Sequence, residues 1–255
     1  MKNITREKIL SGKKAFGTFS HSGSSLCAEA LGVAGLDYVV FDTEHGPFSE
    51  EGAVSFVRAA KLRGFSPFVR VKDNNRSSLL RMLDIGAEGI VVPNVNSVDE
   101  AKMLIEYSKY YPLGKRGLAF GRGSGFGYDE FATDRQEYCK TCNREQLLLP
   151  QCETLGSLEN IEEIVGLEGV DGIFIGPLDL SVALDNPFVF DDKHKAAVAR
   201  VLKACKEANK FSFIFAINTD ATKAAFDLGF DAVAQSTEIN MLIESFKNTV
   251  KTLGI

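Results

Sequence analysis

The chain has 255 residues, 45% hydrophobic and 25% charged, and its 34 acidic against 29 basic side chains give a formal net charge of −5. That balance is ordinary for a soluble globular protein, and its even spread, without a basic arm or an acidic tail, argues against a nucleic-acid-binding surface. No run approaches the roughly 18 apolar residues of a membrane helix, and the polar stretch from Met1 to Lys14 has no signal-peptide core. Five cysteines (Cys27, Cys139, Cys142, Cys152, Cys205) fit free thiols in a reducing, cytoplasmic setting better than a disulfide framework.

A strand-like run, a turn and a helical pattern then recur along the chain. Ala15 to Phe19 precedes a helical stretch from Ser24 to Gly35 with Leu26, Ala30, Leu31 and Ala34 at helical spacing. Tyr38 to Asp42 precedes Val54, Phe56, Val57, Ala60 and Leu62; Pro67 to Val71 precedes Leu79, Leu80, Met82, Leu83 and Ile85. Gly89 to Pro93 is the fourth strand, and Ser97 with Glu100 three residues on forms a capping box for the helix after it. Residues 111–146 break the rhythm, with Pro112 and glycines at 114, 117, 121, 123, 125 and 127. An excursion of that length inside a compact domain reads as a functional loop, a lid over the second substrate in which Lys115, Arg116 and Arg122 would meet an anionic group. The theme resumes at 146–153, 172–176, 212–217 and 231–235.

Eight apolar strands alternating with helices imply a parallel sheet covered on both faces. The count, and the repeated helix-stop glycines at 35, 86, 169 and 229, favour an α/β fold closed as a (β/α)8 TIM barrel over an open doubly wound sheet. No linker is evident, so residues 1–255 read as one barrel domain.

In such a barrel the chemistry gathers at the carboxyl ends of the strands. There the sequence places Asp42, Glu44 and His45 after strand two, Arg70 ending strand three, Glu153 ending strand five and Asp179 after strand six. Charges ending apolar strands are costly unless paired or ligated. Glu153 and Asp179 can hold a hard divalent cation through oxygen while leaving positions for water and substrate. A 2-oxo acid can chelate such a Lewis acid, which lowers the cost of its enolate. Arg70 offers planar donors beside the enolate oxygen. His45 can move protons near neutral pH with Asp42 orienting its ring, and the amides around Gly176 to Asp179 suit a substrate carboxylate. His21 is a further candidate for the same rim. His194, in Asp191-Asp192-Lys193-His194, reads as a surface residue, and the lone CxxC at Cys139 and Cys142 as neither a zinc nor a redox site.

The segments Asp42-Thr43-Glu44-His45-Gly46-Pro47, Val69-Arg70-Val71, Val92-Pro93-Asn94-Val95-Asn96, Gln151-Cys152-Glu153-Thr154 and Gly176-Pro177-Leu178-Asp179-Leu180-Ser181, in that order, closely resemble the HpcH/HpaI family of class II pyruvate aldolases. The resemblance spans about residues 14–240. It implies a phosphoenolpyruvate/pyruvate-type barrel that reversibly cleaves a 4-hydroxy-2-oxo acid to pyruvate and an aldehyde. It also implies Glu153 and Asp179 as ligands for magnesium, manganese or cobalt, Arg70 at the substrate carbonyl, and His45 with Asp42 as the acid/base pair. Gln151 and Asp84 follow as supporting residues, Gly176 and Leu178 as substrate contacts, and a homo-oligomer (hexamer or trimer) exchanging its terminal helix as the assembly. Phe19 and Tyr38 stand where tryptophan is frequent, Leu178 where a smaller residue is usual, and Glu238 near a common aspartate. The competing readings are the same enolate platform condensing with a keto acid or acyl-thioester, and a binding homologue without catalysis. A Schiff-base aldolase would instead need a strand-end lysine, for which Lys72 is the candidate.

Overall fold

A computed structural model describes residues 1–255. Eight strands pair in parallel, each with the next and the last with the first, into a closed barrel. They are β1 Ala15–Ser20, β2 Tyr38–Asp42, β3 Ser66–Arg70, β4 Gly89–Val92, β5 Leu147–Cys152, β6 Gly172–Ile175, β7 Phe211–Ala216 and β8 Ala232–Thr237. The helices are α1 Ile4–Leu10, α2 Ser25–Val33, α3 Glu50–Leu62, α4 Arg76–Ile85, α5 Val98–Ser108, α6 Arg135–Glu145, α7 Leu155–Glu159, α8 Ile161–Gly166, α9 Pro177–Ala183, α10 Asp192–Glu207, α11 Thr219–Leu228 and α12 Glu238–Leu253. All eight strands anticipated from the apolar runs are present, and the barrel is the correct closure.

The two-residue period of each strand sorts side chains into two cores. Outward-facing Val39, Phe41, Val69, Ile90, Leu148 and Ile173 pack under the helices. Inward-facing Tyr38, Val40, Phe68, Leu147, Leu149, Phe174 and Phe213 fill the barrel, the aliphatic and phenylalanine side chains each contributing roughly 1.5–3 kcal/mol by burial. Continuing the inward series past the apolar layer gives His21, Asp42, Arg70, Gln151, Glu153 and Gly176. The site is therefore the top layer of the barrel interior, and the aromatic layer beneath is its floor.

Residues 111–146 correct the sequence reading twice. They join the carboxyl end of α5 to the start of β5, so they lie at the amino-terminal face, opposite the rim of this chain. Arg122 donates from Nη1 to the Ile85 carbonyl at 3.0 Å, and Arg116 donates to Asp84 at 2.6 Å and to Gln146 at 2.7 Å. Nor is the stretch wholly irregular: it holds two short 3-10 turns and all of α6. Tyr110, Ala132, Tyr138 and Cys142 form a small core beneath it, so the CxxC lies on a packed helix.

Terminal α12 is the least covered element. Among its residues only Glu238 is buried, while Ile239, Met241, Leu242, Ile243, Phe246, Val250 and Leu253 are exposed. An apolar groove lined by Phe16, Leu31, Ala34, Leu36 and Leu242 runs beside it.

Candidate active site

A cavity of about 190 Å³ opens at the carboxyl ends of the strands, lined by Phe19, His21, His45, Arg70, Gln151, Phe174, Gly176, Pro177, Leu178, Asp179, Phe215 and Thr237. Its organising ion pair is Arg70 with Asp42. Adjacent strands in register set these two residues side by side. The guanidinium donates from Nε to Oδ1 at 2.9 Å and from Nη2 to Oδ2 at 2.7 Å, a two-point contact that fixes its plane. The Phe19 ring lies 4.9 Å below the guanidinium carbon, and Glu44 meets Nη1 at 3.2 Å. Burial works against the charge on Asp42, but Arg70 outweighs it and holds the carboxyl below its ordinary range. Arg70 itself is pushed up by the same partner despite its burial.

Glu153 sits beneath the lining. Its Oε1 accepts the Asn94 amide at 2.7 Å, and its Oε2 accepts the Gln151 side-chain amide. Asn94 presents that amide from a left-handed conformation, φ 56°, which asparagine tolerates better than most residues. Burial, then the charges of Asp179 and Glu44, push the Glu153 carboxyl up to about 7, against the Asn94 amide and Arg70. Pairing of Cys152 with Ile175 brings Glu153 beside Gly176, three residues before Asp179. A methyl at Gly176 would lie 2.7 Å from Gln151 Nε2 and 2.8 Å from Glu153 Oε2.

Gly176 precedes the first turn of α9, which has Pro177 at its start and no side-chain cap, leaving first-turn amides without that partner. His194 braces this turn: it is buried, and its Nε2 lies 2.9 Å from the Pro177 carbonyl oxygen. The charged run Asp191-Asp192-Lys193-His194 by itself points to a surface position. The signal against that was present, since His194, Ala197, Val198, Val201, Leu202 and Cys205 recur at helical spacing and are all buried.

Asp42, Glu44, His45, Arg70, Gln151, Glu153, Gly176, Leu178 and Asp179 are thus gathered at one rim. Two expectations about partners fail. The ring of His45 does not engage Asp42; it is exposed, 3.9 Å from Glu44, and only its backbone N–H approaches Asp42, at 3.5 Å. The ring that reaches Asp42 belongs to His21, whose Nε2 lies 2.9 Å from Oδ2. Asp84 stands apart from the rim of this chain, bound to Arg116 at 2.6 Å. Lys72 lines a different depression with Thr43, Ser49, Glu50 and Arg81, not the cavity at the rim.

The rim also fits a hard divalent cation. Burial first, and then the charges of Asp179 and Glu44, disfavour the ionised form of Glu153; a bound cation would offset both, and the Gln151 Oε1 beside it is buried without a partner. The donors are oxygen, as such a cation prefers. Replacing Gly176 by alanine is expected to push Gln151 and Glu153 out of place. kcat/KM should fall by about 100-fold or more while stability changes by about 1–3 kcal/mol, read by kinetics and thermal unfolding.

A barrel rim that couples a fixed guanidinium to buried carboxylates over an aromatic floor suits carbon–carbon bond chemistry on an oxo acid, and the chain is a lyase of the aldolase class. It belongs to the HpcH/HpaI aldolase/citrate lyase family, whose profile matches residues 15–245. Over 251 residues it is 31% identical to the hydroxypyruvate/pyruvate aldolase of Roseobacter denitrificans, covering 96% of this chain and 95% of that one. With the 4-hydroxy-2-oxo-heptane-1,7-dioate aldolase of Shigella sonnei the identity is 29%, over 100% and 96% of the two chains. The crystal structure of an HpcH/HpaI family protein from Burkholderia cenocepacia superposes with a TM-score of 0.91 at 27% identity, covering all of both chains.

Proposed function

We propose that this rim cleaves a 4-hydroxy-2-oxo acid reversibly into pyruvate and an aldehyde. The observation that carries the reading is the meeting of the Arg70–Asp42 pair with Glu153 and Asp179 around one small cavity. The activities for which the two aldolase relatives are named support it.

Glu153 and Asp179 would hold the divalent cation (magnesium, manganese or cobalt), with Gln151 steadying Glu153. When bound, that ion supplies Lewis-acid polarisation of the keto oxygen. Arg70, fixed by Asp42, places its donors where negative charge develops as the enolate forms. The amides at the start of α9, with Gly176 and Leu178 around them, receive the substrate carboxylate. His45, exposed at the cavity mouth, exchanges protons with the enolate carbon. Phe19, Phe174 and Phe215 close the floor, two edge contacts at 5.7 and 5.8 Å holding Phe19 in place, and keep water from the reacting carbon. Incubating the protein with pyruvate and a panel of aldehydes tests this: aldol products should appear for at least one acceptor, and pyruvate alone with every aldehyde unconsumed would reject it.

The same reading includes a homo-oligomer, hexamer or trimer, that exchanges α12 between neighbours. The uncovered apolar face of α12 and the apolar groove beside it support this. Substituting Ile243 and Phe246 together by aspartate is expected to dissociate the assembly to monomers in size-exclusion chromatography with light scattering. Unpaired thiols at all five cysteines support a cytoplasmic location, and no helix is long and apolar enough to cross a membrane.

A further inference from the structure

Two imidazoles border the cavity, and the structure treats them differently. His45 has its ring in solvent, with 64% of the side chain exposed and no carboxylate within hydrogen-bonding distance. His21, following β1, is held at two points. Its backbone N–H donates to Glu238 Oε2 at 2.9 Å, while the Ser22 N–H and the Ser20 hydroxyl donate to Oε1, each at 2.7 Å. The carboxylate at the start of α12 thereby fixes the loop that carries the ring. The ring itself meets fully buried Asp42 through Nε2 at 2.9 Å.

Asp42 already accepts from Arg70 on both oxygens and from the Glu44 amide at 3.1 Å. A carboxylate so surrounded by donors is ionised and has no proton to give. Nε2 of His21 is therefore the donor, and the neutral ring carries its lone pair on Nδ1. No group of the chain bonds Nδ1, and the ring opens on the cavity shared with Arg70, Gln151 and Asp179. An imidazole whose tautomer is set by a buried carboxylate, with its other nitrogen unbonded in a ring that lines the cavity, is arranged as a general base.

We propose that His21 is the acid/base residue for the C4 hydroxyl of the substrate, with Asp42 and Glu238 as its positioning residues; this rests on the aldol reaction proposed above. In cleavage, Nδ1 takes the proton from the C4 hydroxyl, and the freed oxygen pair forms the aldehyde carbonyl. The C3–C4 bond breaks, and its electron pair becomes the C2–C3 double bond of the enolate. In condensation the imidazolium returns the proton to the new alkoxide. No oxidant or other reactant is needed. The two halves of the reaction then use separate rings: His21 serves the oxygen at C4, His45 the carbon at C3.

Comparing His21→Asn and His21→Ala with the parent protein, loaded with magnesium or manganese, tests this. Asparagine retains a donor toward Asp42 but has no basic nitrogen; alanine has neither. Two rates are measured: cleavage of a 4-hydroxy-2-oxo acid that the parent accepts, and exchange of the methyl protons of pyruvate with solvent deuterium. Both variants are expected to lose about 100-fold or more in cleavage while exchange stays within a few-fold of the parent. Cleavage by His21→Asn at the parent rate would reduce His21 to a strut for Asp42 and overturn the proposal. Exchange falling in step with cleavage in both variants would overturn it as well, since the role would not be confined to C4. Absence of both activities from the parent would reject the underlying reaction, and the proposal with it.

Discussion

Replacing Arg70 by lysine is expected to lower kcat/KM by about 100- to 1,000-fold, the usual effect of removing one donor from a developing oxyanion. Lysine keeps the charge but not the planar fork. It cannot donate at 2.9 and 2.7 Å to the two Asp42 oxygens while reaching Glu44 and lying over Phe19. Alanine should do more damage of a different kind. Asp42 is fully buried, and an uncompensated buried charge costs about 3–5 kcal/mol. Arg70→Ala should therefore unfold at a markedly lower temperature, whereas Arg70→Lys should remain folded and slow. Steady-state kinetics with thermal unfolding separates the two, and near-parent activity in Arg70→Lys would remove Arg70 from the chemistry.

Exchanging Glu153 for glutamine should abolish activation by a divalent cation, with kcat/KM falling by about 1,000-fold or more, since Lewis-acid stabilisation is worth several kcal/mol. It should also change the pH dependence of stability. The folded-state pKa of Glu153, about 7, lies above its ordinary value of 4.5, so the folded protein retains this proton after the unfolded chain has released it. Below both values the group has no effect. As pH rises from about 4.5 through about 7, cation-free protein loses stability, on the order of 3 kcal/mol once the group is fully ionised. A thermal-unfolding series with chelator should show the melting temperature falling across that window. The slope should flatten in Glu153→Gln and on adding magnesium to the parent. An equally steep slope in the variant would show that another group is responsible.

Much of this was legible in the sequence, for identifiable reasons. Strand interiors such as Tyr38-Val39-Val40-Phe41 and Gly89-Ile90-Val91-Val92 are buried on both faces, so they read as continuous apolar runs. A polar residue ending such a run stands out against it, which brought Asp42, Arg70 and Glu153 to notice. The same logic locates the 111–146 stretch. A segment between a helix and the following strand lies at the amino-terminal face of a parallel barrel, which excludes a lid on this chain's own rim.

Contacts across strands were harder to read. Nothing in the spacing of His21 and His45 tells which ring meets Asp42. That depends on the loop after β1 being pulled down by Glu238, 217 positions away from His21. Asp84 likewise ends α4 at the face opposite the rim, where the partner that claims it, Arg116, comes from the irregular stretch. In α6 the buried stripe is Tyr138, Thr141, Cys142 and Glu145, helical in spacing but too polar to register as an apolar face.

In the proposed reaction buried Glu153 and its neighbour on the next strand loop, Asp179, draw electrons out of a bound keto acid with the help of a cation. Proton NMR of pyruvate in deuterated water, with and without chelator and followed by borohydride treatment, tests this directly. Methyl protons should exchange in the presence of magnesium or manganese, stop exchanging on chelation and in Glu153→Gln, and leave the protein unmodified after borohydride. Exchange that persists without a cation, together with pyruvate reduced onto a lysine, would contradict it.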